Sequence, residues 1–240
     1  MLKLVTPLVV VILLLAGIPS VVAESLTEQL DALSASHKKE TPADMQAIMD
    51  AAEQALRESG VGNDAPKVGD QLPDGEFVTA KGEATSLYEA IGDRKAIVTF
   101  YRGGWCPYCN LQLHAYQEHL PEIEAAGGTL VAITPETPDN SLSTAEKHGL
   151  KFSVLSDGNN NYARQIKIVF ALNEQLKPIY QAYGVDLEKN HANDAWELPL
   201  AATFIIEADR TVRYAFVDVD YKNALTPKNC CANCNSCRES

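Results

Sequence analysis

At 240 residues, 46% hydrophobic and 22% charged, the chain has the make-up of an ordinary globular protein and enough length to bury a sizeable core. Acidic residues outnumber basic ones by 32 to 20 and no basic tract occurs, which excludes the electrostatic footprint of a nucleic-acid binder. The acidity reads as a solubility device.

Residues 1–23 carry the parts of a secretory signal: Lys3 as the positive flank, Leu8 to Leu15 as the apolar core, and Val21-Val22-Ala23 as a small-residue cleavage pattern. No cysteine stands at the cleavage point, which argues against a lipoprotein anchor. The competing reading is an uncleaved membrane anchor, because Leu4 to Ala23 is uncharged and nearly long enough to span a bilayer. Pro7 and the small-residue end favour cleavage. Either way the bulk of the chain is expected outside the cytoplasm, periplasmic or secreted, where disulfide chemistry persists. Loss of the leader leaves 19 basic against 32 acidic residues.

Residues 24–60 read as a helical extension. Leu26, Leu30 and Leu33 share one helix face, Thr41-Pro42 supplies an N-cap followed by proline at the first position, and Met45, Ile48, Ala52 and Leu56 continue the stripe to Gly60. A pair of amphipathic helices packed on the main domain accounts for this; a dimerisation arm, hence a homo-oligomer, is the alternative. Val61 to Asp74, rich in Gly, Pro and Asp, reads as a linker or an irregular entry. Strands are expected at Glu76 to Ala80, Lys95 to Tyr101, Thr129 to Thr134 and Phe152 to Leu155. Helical segments are expected at Leu87 to Ile91, Pro107 to Ala126, Pro138 to His148 and Tyr162 to Ile168. The stretch Asn173 to Leu198 is irregular or partly helical, with Tyr180, Tyr183 and Trp196 as aromatic contacts. Thr203 to Glu207 and Thr211 to Val217 form an antiparallel hairpin around Asp209-Arg210. Alternating helices and strands followed by a hairpin predict an α/β fold with a mixed central sheet flanked by helices.

The chemistry concentrates at the end of the Lys95 to Tyr101 strand. Its β-prone run is followed by Arg102-Gly103-Gly104-Trp105-Cys106-Pro107-Tyr108-Cys109, with Pro107 at the first helical position, where its missing N–H costs nothing. Cys106 is therefore expected at a helix N-terminus, facing unpaired N–H groups and the positive end of the dipole. Both favour thiolate, which lowers the pKa and raises the nucleophile fraction. Cys109 lies three positions on, on the same face, within reach of a disulfide. Arg102 adds positive charge or, alternatively, faces solvent; Trp105 shields one side of the sulfur. Half a zinc site, a structural disulfide or two buried hydrophobes are competing readings of the pair. The strand–Gly–Gly–Trp–Cys–Pro–x–Cys–helix order argues against all three and for a redox dithiol.

A second cluster lies in the tail, where Cys230, Cys231, Cys234 and Cys237 fall within eight residues. A soft-ligand site for zinc or copper(I), two local disulfides, or exchange with Cys106 and Cys109 are the alternatives. Adjacent Cys230 and Cys231 cannot both reach one tetrahedral ion without strain. His114 and His119 are read as solvated.

Phe100-Tyr101-…-Trp105-Cys106-Pro107-Tyr108-Cys109 resembles the active-site segment of the thioredoxin superfamily. Gly69-Asp70-…-Pro73 and Thr203-Phe204-Ile205-Ile206 resemble its peroxiredoxin branch, the alkyl hydroperoxide reductase and thiol-specific antioxidant group. The resemblance covers residues 64–222, leaving the helical extension before it and a Cys-rich tail, 223–240, after it. It implies a thioredoxin-like fold and a thiol peroxidase with Cys106 as the attacking cysteine. Cys109 then resolves the sulfenic acid to a disulfide that an external dithiol, such as a thioredoxin-like protein, reduces. Arg102 is assigned to favouring the thiolate and polarising the peroxide, and no cofactor is called for. Two departures stand out. Thr99 and Gly103 occupy the places of the family's proline and threonine, and Ala201, with Pro199 close by, replaces the usual arginine or cis-proline. The alternatives are a thiol–disulfide oxidoreductase acting on protein disulfides and a metal-carrying thiol protein.

Overall fold

A computed structural model describes residues 25–227, 229 and 230. Residues 1–23, expected to be a secretory signal, and the tail cysteines Cys231, Cys234 and Cys237 lie outside the described residues. In chain order the helices are α1 (Leu26–Glu40), α2 (Ala43–Glu58), α3 (Leu87–Ile91), α4 (Pro107–Ala125), α5 (Pro138–Lys147), α6 (Asn161–Gln165), α7 (Lys177–Ala182) and α8 (Leu187–His191). The strands are β1 (Glu76–Thr79), β2 (Ala84–Ser86), β3 (Lys95–Phe100), β4 (Gly128–Thr134), β5 (Ser153–Ser156), β6 (Val169–Ala171), β7 (Glu197–Pro199), β8 (Ala201–Ile206) and β9 (Val212–Asp218).

Seven strands form one sheet in the order β2-β1-β5-β4-β3-β8-β9, with β6 and β7 paired separately. The sheet is mixed, as expected: β3 and β5 run parallel to β4, while β8 pairs antiparallel with β3 and β9. α4 is the crossover that makes the β3–β4 pairing parallel. The central strands are buried on both faces, which is why they read as apolar runs rather than alternating patterns. Ala96, Val98 and Phe100 join Val131, Ile133 and Phe204 on one face. Ile97, Leu130, Ala132 and Ile205 pack under Leu113 and Tyr116 of α4 on the other. Each of the valine, leucine, isoleucine and phenylalanine side chains among these, fully buried, contributes about 1.5–3 kcal/mol relative to exposure.

The extension docks on that second face. Ser25 caps α1 reciprocally with Glu28, at 2.7 Å from the Ser25 N–H to Oε2 and 3.3 Å from the Glu28 N–H to Oγ. Leu26 and Leu30 are buried in the α4 cluster. α2 begins one residue later than its sequence signal, with Pro42 itself at the cap position and its carbonyl accepting from Gln46 N–H at 2.9 Å.

The entry segment is not a free linker. Gly69 and Leu72 donate to the Val212 and Arg210 carbonyls, and Val212 donates to Asp70, at 2.8–3.0 Å, which stitches the entry to the start of β9. The helix expected to reach Ile168 stops at Gln165, because Lys167 takes a left-handed φ of 64°. β6 then departs and returns as β7, enclosing α7 and α8 around a small core of Leu172, Leu187, Trp196 and Leu198. β8 starts at Ala201, two residues before its expected start.

His191 ends α8 with its Nε2 buried and without a hydrogen-bond partner. Burial pushes its pKa down to about 4. The unfolded chain takes up the proton from about pH 6.5 downward, so the stability held by the neutral ring is full above that value and lost as pH falls through 4. His191→Gln should flatten the fall of the urea midpoint between about pH 6.5 and 4, removing up to about 3 kcal/mol of acid sensitivity. An unchanged acid slope would show that another group sets it.

Candidate active site

β3 delivers the chain into the site. Tyr101 N–H still bonds to the Ile133 carbonyl at 2.9 Å, and the backbone then turns through Arg102 to Trp105 before α4 begins. Gly103 has φ 151°, and a Cβ there would lie 2.3 Å from Trp105 Nε1 and 2.9 Å from the Glu136 carboxyl carbon. Only glycine admits that approach. Cys106 occupies the N-cap of α4 with extended backbone, and its carbonyl accepts from Asn110 N–H at 3.0 Å. Asn110 Nδ2 donates to the Gly104 carbonyl at 2.9 Å, tying the loop to the first turn.

This geometry aims the orphan amides of the first turn at sulfur. Burial opposes ionisation of Cys106, but the Cys109 thiol donates to it, Arg102 faces it, and the Cys109 and Tyr108 N–H groups converge on it. The result is a thiol pushed down to about 7 from the usual 9. Cys109 goes the other way. Burial, together with its bond to Cys106, holds it as a thiol well above the ordinary range. Both cysteines are free in this structure.

Arg102 is buried at 4% exposure, so the solvent-facing alternative fails. Its guanidinium lies 3.9 Å from the Tyr221 ring centroid, 5.0 Å from Trp105 and 5.6 Å from Tyr180, and Nη2 donates to the Tyr180 hydroxyl. Burial works against its charge, while the tyrosine hydroxyls and the thiols hold it above the ordinary arginine range. Stacked cation–π contacts suit a planar, weakly hydrated cation that has left water.

Cys106, Arg102 and Trp105 border a cavity of about 910 Å³, whose other walls include His37 of α1, Leu56 of α2 and Phe170 of β6. The extension is pinned over the motif. His37 Nδ1 lies 3.1 Å from the Tyr108 hydroxyl, Thr41 Oγ1 lies 3.3 Å from the Tyr183 hydroxyl, and Lys222 pairs with Glu53 at 2.7 Å. Trp105 packs edge-on to Tyr180.

The departures noted in the sequence have structural counterparts. Thr99 turns its hydroxyl into the core, 2.9 Å from Thr203 Oγ1 and 3.3 Å from Gln112 Nε2. Ala201 opens β8 opposite Asp218, Pro199 sits opposite Val169, and no cis peptide occurs among the described residues. Cys230 is buried 3.8 Å from the Tyr116 hydroxyl, which donates to the Leu225 carbonyl at 2.8 Å. Among the described residues no group of three His, Cys, Asp or Glu side chains is gathered for a metal ion. His114 is exposed and His119 half-buried.

Sequence reasoning missed Glu136, Tyr221 and His37. Glu136 follows β4 by two residues, is 3% exposed and accepts the Gly104 N–H at 2.9 Å. Its signal was position alone: an acid just past the carboxyl end of a parallel strand, where α/β sheets assemble their sites.

Residues 68–215 match the family model described as the AhpC/TSA family. Peroxiredoxin Bcp of Escherichia coli K12 is 26% identical over 157 residues, 65% of this chain and 89% of the relative. Among solved structures, peroxidoxin BcpB of Mycobacterium tuberculosis matches with a TM-score of 0.57 at 19% identity, covering 72% of this chain and 99% of that one. AhpC of Enterococcus faecalis matches with a TM-score of 0.54 at 17% identity, covering 71% and 92%. These two are likenesses of fold.

Alkylation of Cys106 by iodoacetamide, followed across pH by mass spectrometry of its peptide, should show a midpoint near 7, with thiolate present above it. Arg102→Met should raise that midpoint by about one unit, slowing the reaction up to about tenfold at pH 7. A wild-type midpoint at the ordinary thiol value would contradict the electrostatics described.

Proposed function

The chain belongs to the AhpC/TSA family, and from that membership we propose that it is a thiol peroxidase whose working pair is Cys106 and Cys109. The observation that carries this finer reading is the asymmetry of the two thiols. One borders the cavity with a depressed pKa, and the other donates a hydrogen bond to it while remaining protonated.

The Cys106 thiolate attacks the terminal oxygen of a hydroperoxide. An S–O bond forms, the O–O bond breaks, and the departing oxygen leaves as water or alcohol once protonated, giving the sulfenic acid. Arg102 stabilises the thiolate before attack and the negative charge that moves onto oxygen during it. The Cys109 sulfur then displaces hydroxide from Cys106; with the Cys109 proton this leaves as water, and the disulfide forms. An external dithiol, such as that of a thioredoxin-like protein, restores both thiols by exchange. The leader sequence supports action in the periplasm or outside the cell.

A second reading has its own support. The cavity is far roomier than hydrogen peroxide requires and is walled by Phe170, Ile179 and Leu56, which suits a bulky organic hydroperoxide or a segment of a protein disulfide. The test is consumption of hydrogen peroxide and cumene hydroperoxide by the purified protein with a dithiol. Cys106→Ser should abolish it. Cys109→Ser should consume one equivalent of peroxide and then stall with a protein dithiol as reductant. Reduction of insulin disulfides without peroxide consumption would favour the oxidoreductase reading.

A further inference from the structure

The oxygen that departs from Cys106 in the proposed cycle leaves as a strong base unless a proton reaches it, and the loop before Cys106 carries no hydroxyl to supply one. Gly103 and Gly104 have no side chains, and Thr99 Oγ1 is engaged in the core with Thr203 and Gln112. The Trp105 indole N–H is buried against Gly103 and is too weak an acid to give up its proton. Tyr108, between the two cysteines, has its hydroxyl 3.1 Å from His37 Nδ1.

Tyr180 of α7 is placed differently. It borders the cavity together with Cys106 and Arg102, and its oxygen accepts the hydrogen bond from Arg102 Nη2. Tyr221 presents Arg102 with a ring face, the centroid 3.9 Å from the guanidinium; Tyr180, with its centroid at 5.6 Å, presents the hydroxyl. The Trp105 ring, 5.7 Å away and inclined at 60°, holds the phenol from the side. A phenol both accepts and donates. Arg102 fills the accepting role, and among the described residues no acceptor is in place for the Tyr180 proton. Donation from a cation to the phenol oxygen polarises the O–H bond and makes it a stronger donor. Burial raises the Tyr180 pKa, with Arg102 working against it, so the proton is present in neutral solution.

We propose that the Tyr180 hydroxyl is a catalytic donor to the departing oxygen of the hydroperoxide, with Arg102 behind it as the charge that strengthens it. The inference rests on the peroxidase reading above and adds a residue to it. As the Cys106 thiolate forms the S–O bond, the O–O bond breaks and its electron pair stays on the departing oxygen. That oxygen takes the Tyr180 proton and leaves as alcohol or water. The negative charge that began on sulfur is then on the phenolate beside Arg102, which recovers a proton from solvent. A donor of this kind matters in proportion to the basicity of the oxygen it serves. Tert-butyl hydroperoxide must release an alkoxide, whereas peracetic acid releases acetate, which is stable without a proton.

The experiment compares single-turnover oxidation of the reduced full-length protein by these two oxidants, in the wild type and in Tyr180→Phe, which keeps the ring against Trp105. The pH is held well above the Cys106 midpoint, so that both proteins carry thiolate. Tyr180→Phe should slow tert-butyl hydroperoxide about a hundredfold, the loss expected from removing one aimed donor, and leave peracetic acid nearly unchanged. A residue that only positions Arg102 would slow both oxidants alike; that result, or unchanged rates with both, overturns the inference and leaves the peroxidase reading standing. Alkylation of Cys106 by iodoacetamide reports whether the fold and the thiolate survive the substitution. The wild type supplies a readout independent of the variant. Across hydroperoxides whose leaving alcohols differ in acidity its rate should change little, and a steep rise with acidity, the mark of an unassisted oxygen, overturns the inference. Failure of the wild type to consume any of these oxidants overturns the peroxidase reading and the inference with it.

Discussion

A sulfur atom taken out of water at the start of α4 is subject to opposed influences, and the rest of the site follows from how they are balanced. Desolvation alone would keep Cys106 protonated and inert. Against it stand two first-turn amides, the thiol of Cys109 and the charge of Arg102. None of these is expendable in a dry setting, where each interaction is stronger than it would be in water. The strand that delivers the chain, the glycines that turn it and the proline that starts the helix all serve to bring those groups to one atom.

Arg102 poses the same problem a second time, since a guanidinium at 4% exposure has lost its own hydration. Three aromatic rings and one tyrosine hydroxyl replace that water, and they come from distant parts of the chain: Trp105 from the loop, Tyr180 from the segment between β6 and β7, Tyr221 from beyond β9. In the proposed cycle this cation supplies the positive charge that Ala201, at the place of the family's arginine, does not. The segment between β6 and β7, peripheral to the sheet, is thereby part of the chemistry.

Much of this was legible in advance. The β3 run, the proline-started helix and the parallel return through β4 follow from local rules, because a strand buried on both faces and a helix start both leave strong marks in composition. β6 and β7 were not legible: three residues each, one of them proline, carry no period to detect. The early end of α6 depends on a left-handed Lys167, a conformation that lysine does not advertise. Glu136 and Tyr221 escaped for another reason. Their importance lies in what surrounds them in space, and an isolated acid or tyrosine in a sequence says nothing of its burial.

The walls of the cavity have a further consequence. Most of them are built by α1, α2 and the β6–β7 segment, none of which contributes to the central sheet. Admission is thus held largely outside the β3–α4 segment that sets reactivity, with Tyr180 the residue of the β6–β7 segment that serves both. Drift in Met49, Leu56 or Phe170 can reshape the doorway without detuning the nucleophile, so descendants of this chain are free to change what they let in while inheriting unaltered how they react.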